Sequence, residues 1–178
     1  MSEDKVIYLI AAAAPPVLEI EIPISLLQEC GWQVCLILTP TAAGWVDVPR
    51  LEKATRAAVR VYPRRPGDQD PLPEANVVLG APLTFNMINK WAMGVSDTLA
   101  LGVLNELLGV GIPIFSAPCA KDALRKHPAY GANVRTLTAS GVHFLNSERL
   151  TSRLGNGLVT FDWPAVVGVL DAALYPGL

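Results

Sequence analysis

The sequence predicts an α/β chain, a parallel sheet wound on both faces by helices, and three observations lead there. Short unbroken apolar runs recur along the chain, stretches of helical spacing separate them, and 51% of the residues are hydrophobic while 17% are charged. Strands covered on both faces read as continuous apolar runs rather than as an alternation. Two parallel strands joined by a helix also form the right-handed βαβ unit that opens a doubly wound sheet.

Val6 to Ile10 is the first strand, and Val17, Ile20, Ile24, Leu26 and Leu27 then recur at helical spacing until Gly31 ends the helix. Val34 to Leu38 is the second strand. Asp47-Val48-Pro49 has the form of a capped helix start with proline in the first turn, and Ala57 to Tyr62 is expected as a short third strand. From Pro63 to Pro73 the chain turns to Pro, Arg, Asp and Gly, the composition of a long loop. Asn76 to Ala81 is a central strand, followed by a helix that breaks at Gly94, resumes from Asp97 to Leu108 and is ended by Gly109 and Gly111. Ile112 to Ala117 and Val142 to Leu145 are further strands, with helix from Lys121 to Ser140 interrupted at Pro128 between them. Asn156-Gly157 marks a hairpin turn, and Asp162 caps a final helix through Ala173. The whole is a Rossmann-like, flavodoxin-like architecture in a single domain over residues 1–178, without internal repeat or linker.

Composition narrows the function. A net charge of −2 gives no sequence-wide attraction to nucleic acid or to an anionic membrane. No apolar run has the length of a membrane span, and Met1-Ser2-Glu3-Asp4 lacks the basic start of a secretory signal, so a cytoplasmic protein is expected. Cys30, Cys35 and Cys119 form neither a disulfide framework nor a metal knuckle, and no metal site is expected. The apolar excess also suits subunit interfaces.

In an open α/β sheet the ligand lies at the carboxyl ends of the strands, so the loops there carry the candidate residues. Ala11 to Pro16 follows the first strand; it has no glycine and no Lys-Ser/Thr pair, which excludes an ATP-binding P-loop but lets a flat ligand lie against Ala12 and Ala13. Thr39 and Thr41 follow the second strand, where hydroxyls can donate to phosphate oxygens or serve as ordinary turn residues. Pro82, Thr84 and Asn86 follow the central strand, with Ser96, Asp97 and Thr98 behind them as ligand groups or helix caps. Asn86 carries a donor and an acceptor, as the edge of a heteroaromatic ring requires. Lys121 follows the next strand and can pair with a carboxylate as a point charge.

The run from Pro82 to Leu99 resembles the Pro-x-Ser-x-Asn-Thr segment of the homo-oligomeric flavin-containing cysteine decarboxylases, with Asn86 unchanged, Thr84 in place of serine and Met87 in place of threonine. The wider resemblance covers about residues 5 to 145. It implies FMN as cofactor, held by Ala12, Ala13, Thr39, Thr41, Pro82, Thr84, Asn86, Ser96, Asp97 and Thr98, with Asn86 and Lys121 acting on substrate. The implied chemistry is oxidation of a cysteine thiol to a thioaldehyde, loss of carbon dioxide and release of an enethiol, the cysteine being a peptide's C-terminus or part of a pantothenoylcysteine-like compound. Assembly as a trimer or dodecamer follows from the same resemblance, with Trp45, Trp91 and Met93 as exposed apolar candidates for the interfaces, and residues 147–160 stand where the family has a substrate clamp. The chain departs from the pattern in two places: Pro118-Cys119-Ala120-Lys121 to Arg125 replaces Pro-x-Met-Asn-x-x-Met-Trp, and Gly67 to Pro71 lacks the family's histidine. Asp68 or Asp70 as its replacement would be a poor base near neutral pH. These departures keep open an FMN-binding protein without decarboxylase activity and, ranked below it, a relative of the prenyl-FMN synthases.

Overall fold

A computed structural model describes residues 5–146 and 149–175. Its strands are β1 (Val6–Ala11), β2 (Gln33–Leu38), β3 (Val77–Leu83), β4 (Ile114–Pro118) and β5 (Val142–Phe144), which form a parallel sheet in the order β2-β1-β3-β4-β5. The strand order reverses between β1 and β3, the switch point at which two neighbouring loops diverge and leave a crevice. Side chains along each strand alternate between two cores. Ile7, Leu9 and Ala11 of β1, with Val34, Leu36 and Leu38 of β2, enter one, whereas Val6 and Ile10, with Cys35 and Ile37, enter the other. Because both faces are buried, the period of two is hidden in the sequence by apolar residues at every position.

The first core is covered by a 3-10 turn (Pro15–Glu19), α1 (Glu21–Glu29), α3 (Val48–Thr55) and α8 (Trp163–Leu174), and the second by α4 (Phe85–Ala92), α5 (Leu99–Val110) and α7 (Pro128–Ala139). Two helical turns, α2 (Pro40–Ala43) and α6 (Asp122–Arg125), sit at the carboxyl rim after β2 and β4. A hairpin of β6 (Thr151–Arg153) and β7 (Val159–Phe161) follows β5. Its loop has three residues rather than the two that Asn156-Gly157 suggests: Leu154 accepts from Gly157 and donates to Leu158, and Gly157 takes φ +82. No helix among the described residues is long and apolar enough to cross a membrane.

Several expectations are corrected. Ala57 to Tyr62 is no strand but a single parallel bridge between Arg60 and Ile37, because Arg56 turns left-handed at φ +55 before it and Pro63 ends it. The helical spacing after β1 divides into a 3-10 turn and α1. Gly109 lies inside the last turn of α5, and Gly111, at φ +81, ends that helix. Trp91 is 1% exposed rather than an interface residue, since it shares the inward face of α4 with Met87 and Ile88. Trp45, at 47%, and Met93, at 73%, are exposed as expected.

Candidate functional site

The carboxyl rim is stitched by backbone hydrogen bonds that bring the loops together. Ala12 N–H donates to the Pro82 carbonyl at 2.8 Å, Thr39 N–H to Ala11 at 3.0 Å and Cys119 N–H to Leu83 at 2.8 Å. Two adjoining hollows result, which share Ala13, Thr84 and Asn86.

The smaller hollow, about 330 Å³, is lined by Ala12, Ala13, Thr39, Thr41, Thr84, Asn86, Lys90, Asp97 and Thr98 among others. Three of its threonines are helix caps. Thr39 Oγ1 accepts from Ala42 N–H at the start of α2, Thr84 Oγ1 from Met87 N–H at the start of α4, and Thr98 Oγ1 from Leu101 N–H at the start of α5, each at 3.3 Å. A cap occupies one lone pair of the oxygen and leaves its O–H free to donate. The structural and the ligand-binding roles of these residues are therefore compatible. The positive ends of α4 and α5 face the same space, which favours an anion there. Lys90 and Asp97 form an ion pair at its edge.

The larger cleft, about 1060 Å³, runs from Ala13 to Pro15 past Thr84, Phe85 and Asn86 to Cys119, Lys121, Asp122, Leu124 and Arg125, and is closed on the far side by Thr151 to Arg153 and Val159 of the hairpin. Phe85 is held there by α7, its ring stacked on Tyr130 and edge-on to His127. Among the described residues that line it, Lys121, Arg125 and Arg153 stand with one carboxylate, Asp122, although the chain as a whole is negative. Arg125 Nε donates to the Ala120 carbonyl at 3.0 Å, and Arg153 Nη1 to the Gly157 carbonyl at 3.2 Å. Burial raises the Cys119 thiol above its ordinary pKa, so it stays protonated near neutrality.

Of the residues singled out in the sequence, nine border the two hollows: Ala12, Ala13, Thr39, Thr41, Thr84, Asn86, Asp97, Thr98 and Lys121. Pro82 is buried behind them and contributes only its carbonyl to the stitching. Ser96 stands outside both hollows, with its hydroxyl accepting from Asn105 Nδ2 at 2.9 Å. Of the expected 147–160 hairpin, Ser147 and Glu148 lie outside the described residues, and Thr151, Ser152, Arg153 and Val159 of the remainder line the cleft's far side. Sequence reasoning gave no role to Phe85, Arg125 or Arg153. Arg125 follows Lys121 by one helical turn and could have been found from that spacing, whereas Arg153 reaches the cleft only because the hairpin folds back against the 3-10 turn after β1.

Neither histidine lines this cleft, whose one carboxylate among the described residues is Asp122. His127 caps α7, its Nδ1 accepting from Ala129 N–H at 3.2 Å, and His143 stacks on Phe115. Asp70 is paired with Arg60 and Arg64, and Asp68 accepts from Arg65 N–H, on a loop that borders a different hollow.

The donors fit a flavin nucleotide. Hydroxyls and a lysine surround the smaller hollow for a phosphate, Asn86 offers paired donor and acceptor at the junction, and the volumes suit a ligand of that size. The fold and site thus define a doubly wound domain that binds a nucleotide-like cofactor at its switch point. A family model described as Flavoprotein matches residues 1–174, and the chain belongs to that family. It is 34% identical over 84 residues to a cysteine/cysteine sulfinic acid decarboxylase from an unknown prokaryotic organism, across 47% of this chain and 22% of that protein. The chain therefore spans about a fifth of the length of that curated relative. Among solved structures it is similar to EpiD in complex with the substrate peptide DSYTC, with a TM-score of 0.74 and 20% identity over 97% of this chain and 100% of that one. It is similar too to the FMN-dependent cysteine decarboxylase TvaF from thioviridamide biosynthesis, with a TM-score of 0.72 and 19% identity over 83% and 93%. These two share the fold with this chain.

Proposed function

We propose that the protein is an FMN-dependent enzyme that oxidatively decarboxylates a cysteine, in first place the C-terminal cysteine of a peptide. The observation that carries this reading is the meeting of two chemistries at Asn86: hydroxyl donors at helix starts on one side, and a cationic, partly apolar cleft on the other.

Thr39, Thr41, Thr84 and Thr98 donate to the FMN phosphate, with the starts of α4 and α5 supplying positive partial charge because Lys90 is paired with Asp97, and Asn86 meets the ring's carbonyl and nitrogen edge. Ala12 and Ala13 present a flat backbone surface free of long side chains. Bound flavin supplies the two-electron oxidant that turns the cysteine thiol into a thioaldehyde, from which carbon dioxide leaves readily to give the enethiol. Lys121 holds the substrate carboxylate. Together with Arg125 it also favours the substrate's thiolate over its thiol, an electrostatic substitute for part of a base's work. Phe85 and Leu124 line the cleft with apolar surface and strengthen these interactions by excluding water.

The test joins spectrum to mass. Protein reconstituted with FMN shows a bound-flavin spectrum, and a peptide ending in cysteine leaves it lighter by carbon dioxide and two hydrogens; unchanged mass across a varied peptide set rejects the activity. A second reading, an FMN-binding protein without turnover, is favoured by the engagement of both histidines elsewhere. It is the outcome if flavin binds and no peptide or pantothenoylcysteine-like compound reacts.

The homo-oligomer, a trimer or a dodecamer built from trimers, belongs to the same proposal, as does a cytoplasmic setting. Exposed Trp45 and Met93 support the assembly, and a stable monomer in sedimentation would exclude it.

A further inference from the structure

The charge of the larger cleft exceeds what one substrate carboxylate needs. Lys121 stands at the start of α6, exposed and with no ion-pair partner among the described residues, and is enough for a terminal carboxylate. Arg153 stands on the opposite wall, on β6, also exposed and without an acidic partner among the described residues. A second cation across the cleft raises the cost of leaving it vacant of anions and gives nothing to a substrate that carries only one.

The backbone of β6 adds direction. Leu150 accepts from Asp162 and Leu154 donates to Leu158, so the hydrogen-bonded pairs of the hairpin fall at even positions and the peptide groups of Arg153 point away from β7. Three consecutive residues, Thr151, Ser152 and Arg153, border the cleft, which an edge-on strand does and a face-on strand does not. Arg153 on β6 and Lys121 at the start of α6 thus border one cleft from different elements.

Resting on the decarboxylase reading above, we infer that Arg153 is a specificity-determining residue that selects peptides with an acidic side chain shortly upstream of the C-terminal cysteine. Lys121 takes the terminal carboxylate and Arg153 takes the side-chain carboxylate, so the preferred substrate is dianionic and spans the cleft.

Two peptide sets test this on the FMN-loaded protein. In the first, peptides ending in cysteine carry Asp, Ala or Lys at each of the four preceding positions, and decarboxylation is followed by mass. In the second, serine replaces the terminal cysteine, and binding alone is followed by fluorescence anisotropy. At one or more positions Asp is expected to exceed Ala by about tenfold in kcat/KM and in affinity, and the ratio shrinks as salt is raised. Arg153→Gln removes the ratio, and Arg153→Glu moves the preference to Lys at the same position. That charge-swapped rescue shows the hairpin still folds although the bond from Arg153 to Gly157 is lost. If the serine-ended acidic peptides bind preferentially but no cysteine peptide reacts, the selectivity stands and the decarboxylase reading falls. If peptides react or bind with no regard to upstream charge, or none binds, the assignment of Arg153 is overturned. A preference for phosphorylated over unphosphorylated pantothenoylcysteine, with indifference among peptides, overturns it equally.

Discussion

Replacing Thr98 with aspartate separates the helix cap that the structure shows from the phosphate contact proposed above. An aspartate caps a helix as well as a threonine does, so Leu101 N–H keeps its acceptor and stability moves by less than about 0.5 kcal/mol. The smaller hollow, at about 330 Å³, is only about 7 Å across, which sets a phosphate inside it about 5 Å from the new carboxylate; unit charges at that separation and an effective dielectric of about 20 repel by about 3 kcal/mol. FMN affinity therefore falls about a hundredfold. Thr98→Ala behaves in the opposite way: it loses the cap, about 1 kcal/mol or about 3 °C in Tm for a chain of this size, while binding weakens only by one hydroxyl donor. Flavin-fluorescence quenching and thermal melting read the two effects. Riboflavin, which has no phosphate, serves as control and binds T98D as it binds the parent. A T98D protein that melts normally and still binds FMN like the parent would refute the placement of the phosphate among the capping threonines.

Asn86 is exposed and has no hydrogen-bond partner within the described chain, so Asn86→Leu leaves melting unchanged while it lowers FMN affinity about tenfold and shifts the bound-flavin spectrum, as titration will show. Trp91→Ala opens a large cavity beneath α4 and costs about 3 to 5 kcal/mol in denaturant unfolding. Trp91→Phe costs less than about 1.5 kcal/mol, because the indole N–H has no partner to lose. Burial holds the Cys35 thiol up to about 11 and the Tyr8 hydroxyl up to about 12. Both groups bind their proton more tightly folded than unfolded, so their contribution is complete below pH 9 and is lost as pH climbs through their unfolded and then their folded values. Melting temperature accordingly declines from about pH 9 to 12, and Cys35→Ala flattens the first part of that decline relative to Tyr8→Phe.

The sheet was legible because burial on both faces writes itself into the sequence as apolar runs, and the strand positions follow from Val6, Val34, Asn76 and Ile112 onward with errors of one or two residues. What failed did so where tertiary context outweighs local preference. Ala57 to Tyr62 has strand-forming residues, yet the left-handed Arg56 and Pro63 leave room for one bridge only. Trp91 suggested an interface because tryptophan favours such places, and its neighbours at helical spacing, Met87 and Ile88, decided for the core instead. At the rim, Thr98 posed a choice between cap and ligand that the sequence left open, and Thr84, read there as a ligand group, proves to be a cap as well; an oxygen with two lone pairs and one proton can serve both. Arg153 was beyond reach, since its distance in sequence from Lys121 is bridged only by the return of the hairpin.

The hairpin is also anchored from below. Thr160 of β7 is buried, and its hydroxyl donates to Glu19 at the end of the 3-10 turn whose first residue, Pro15, forms part of the cleft floor. Wall and floor are thereby tied: β7 packs on the 3-10 turn and is bonded to its last residue, so a displacement of the hairpin is felt by the segment after β1.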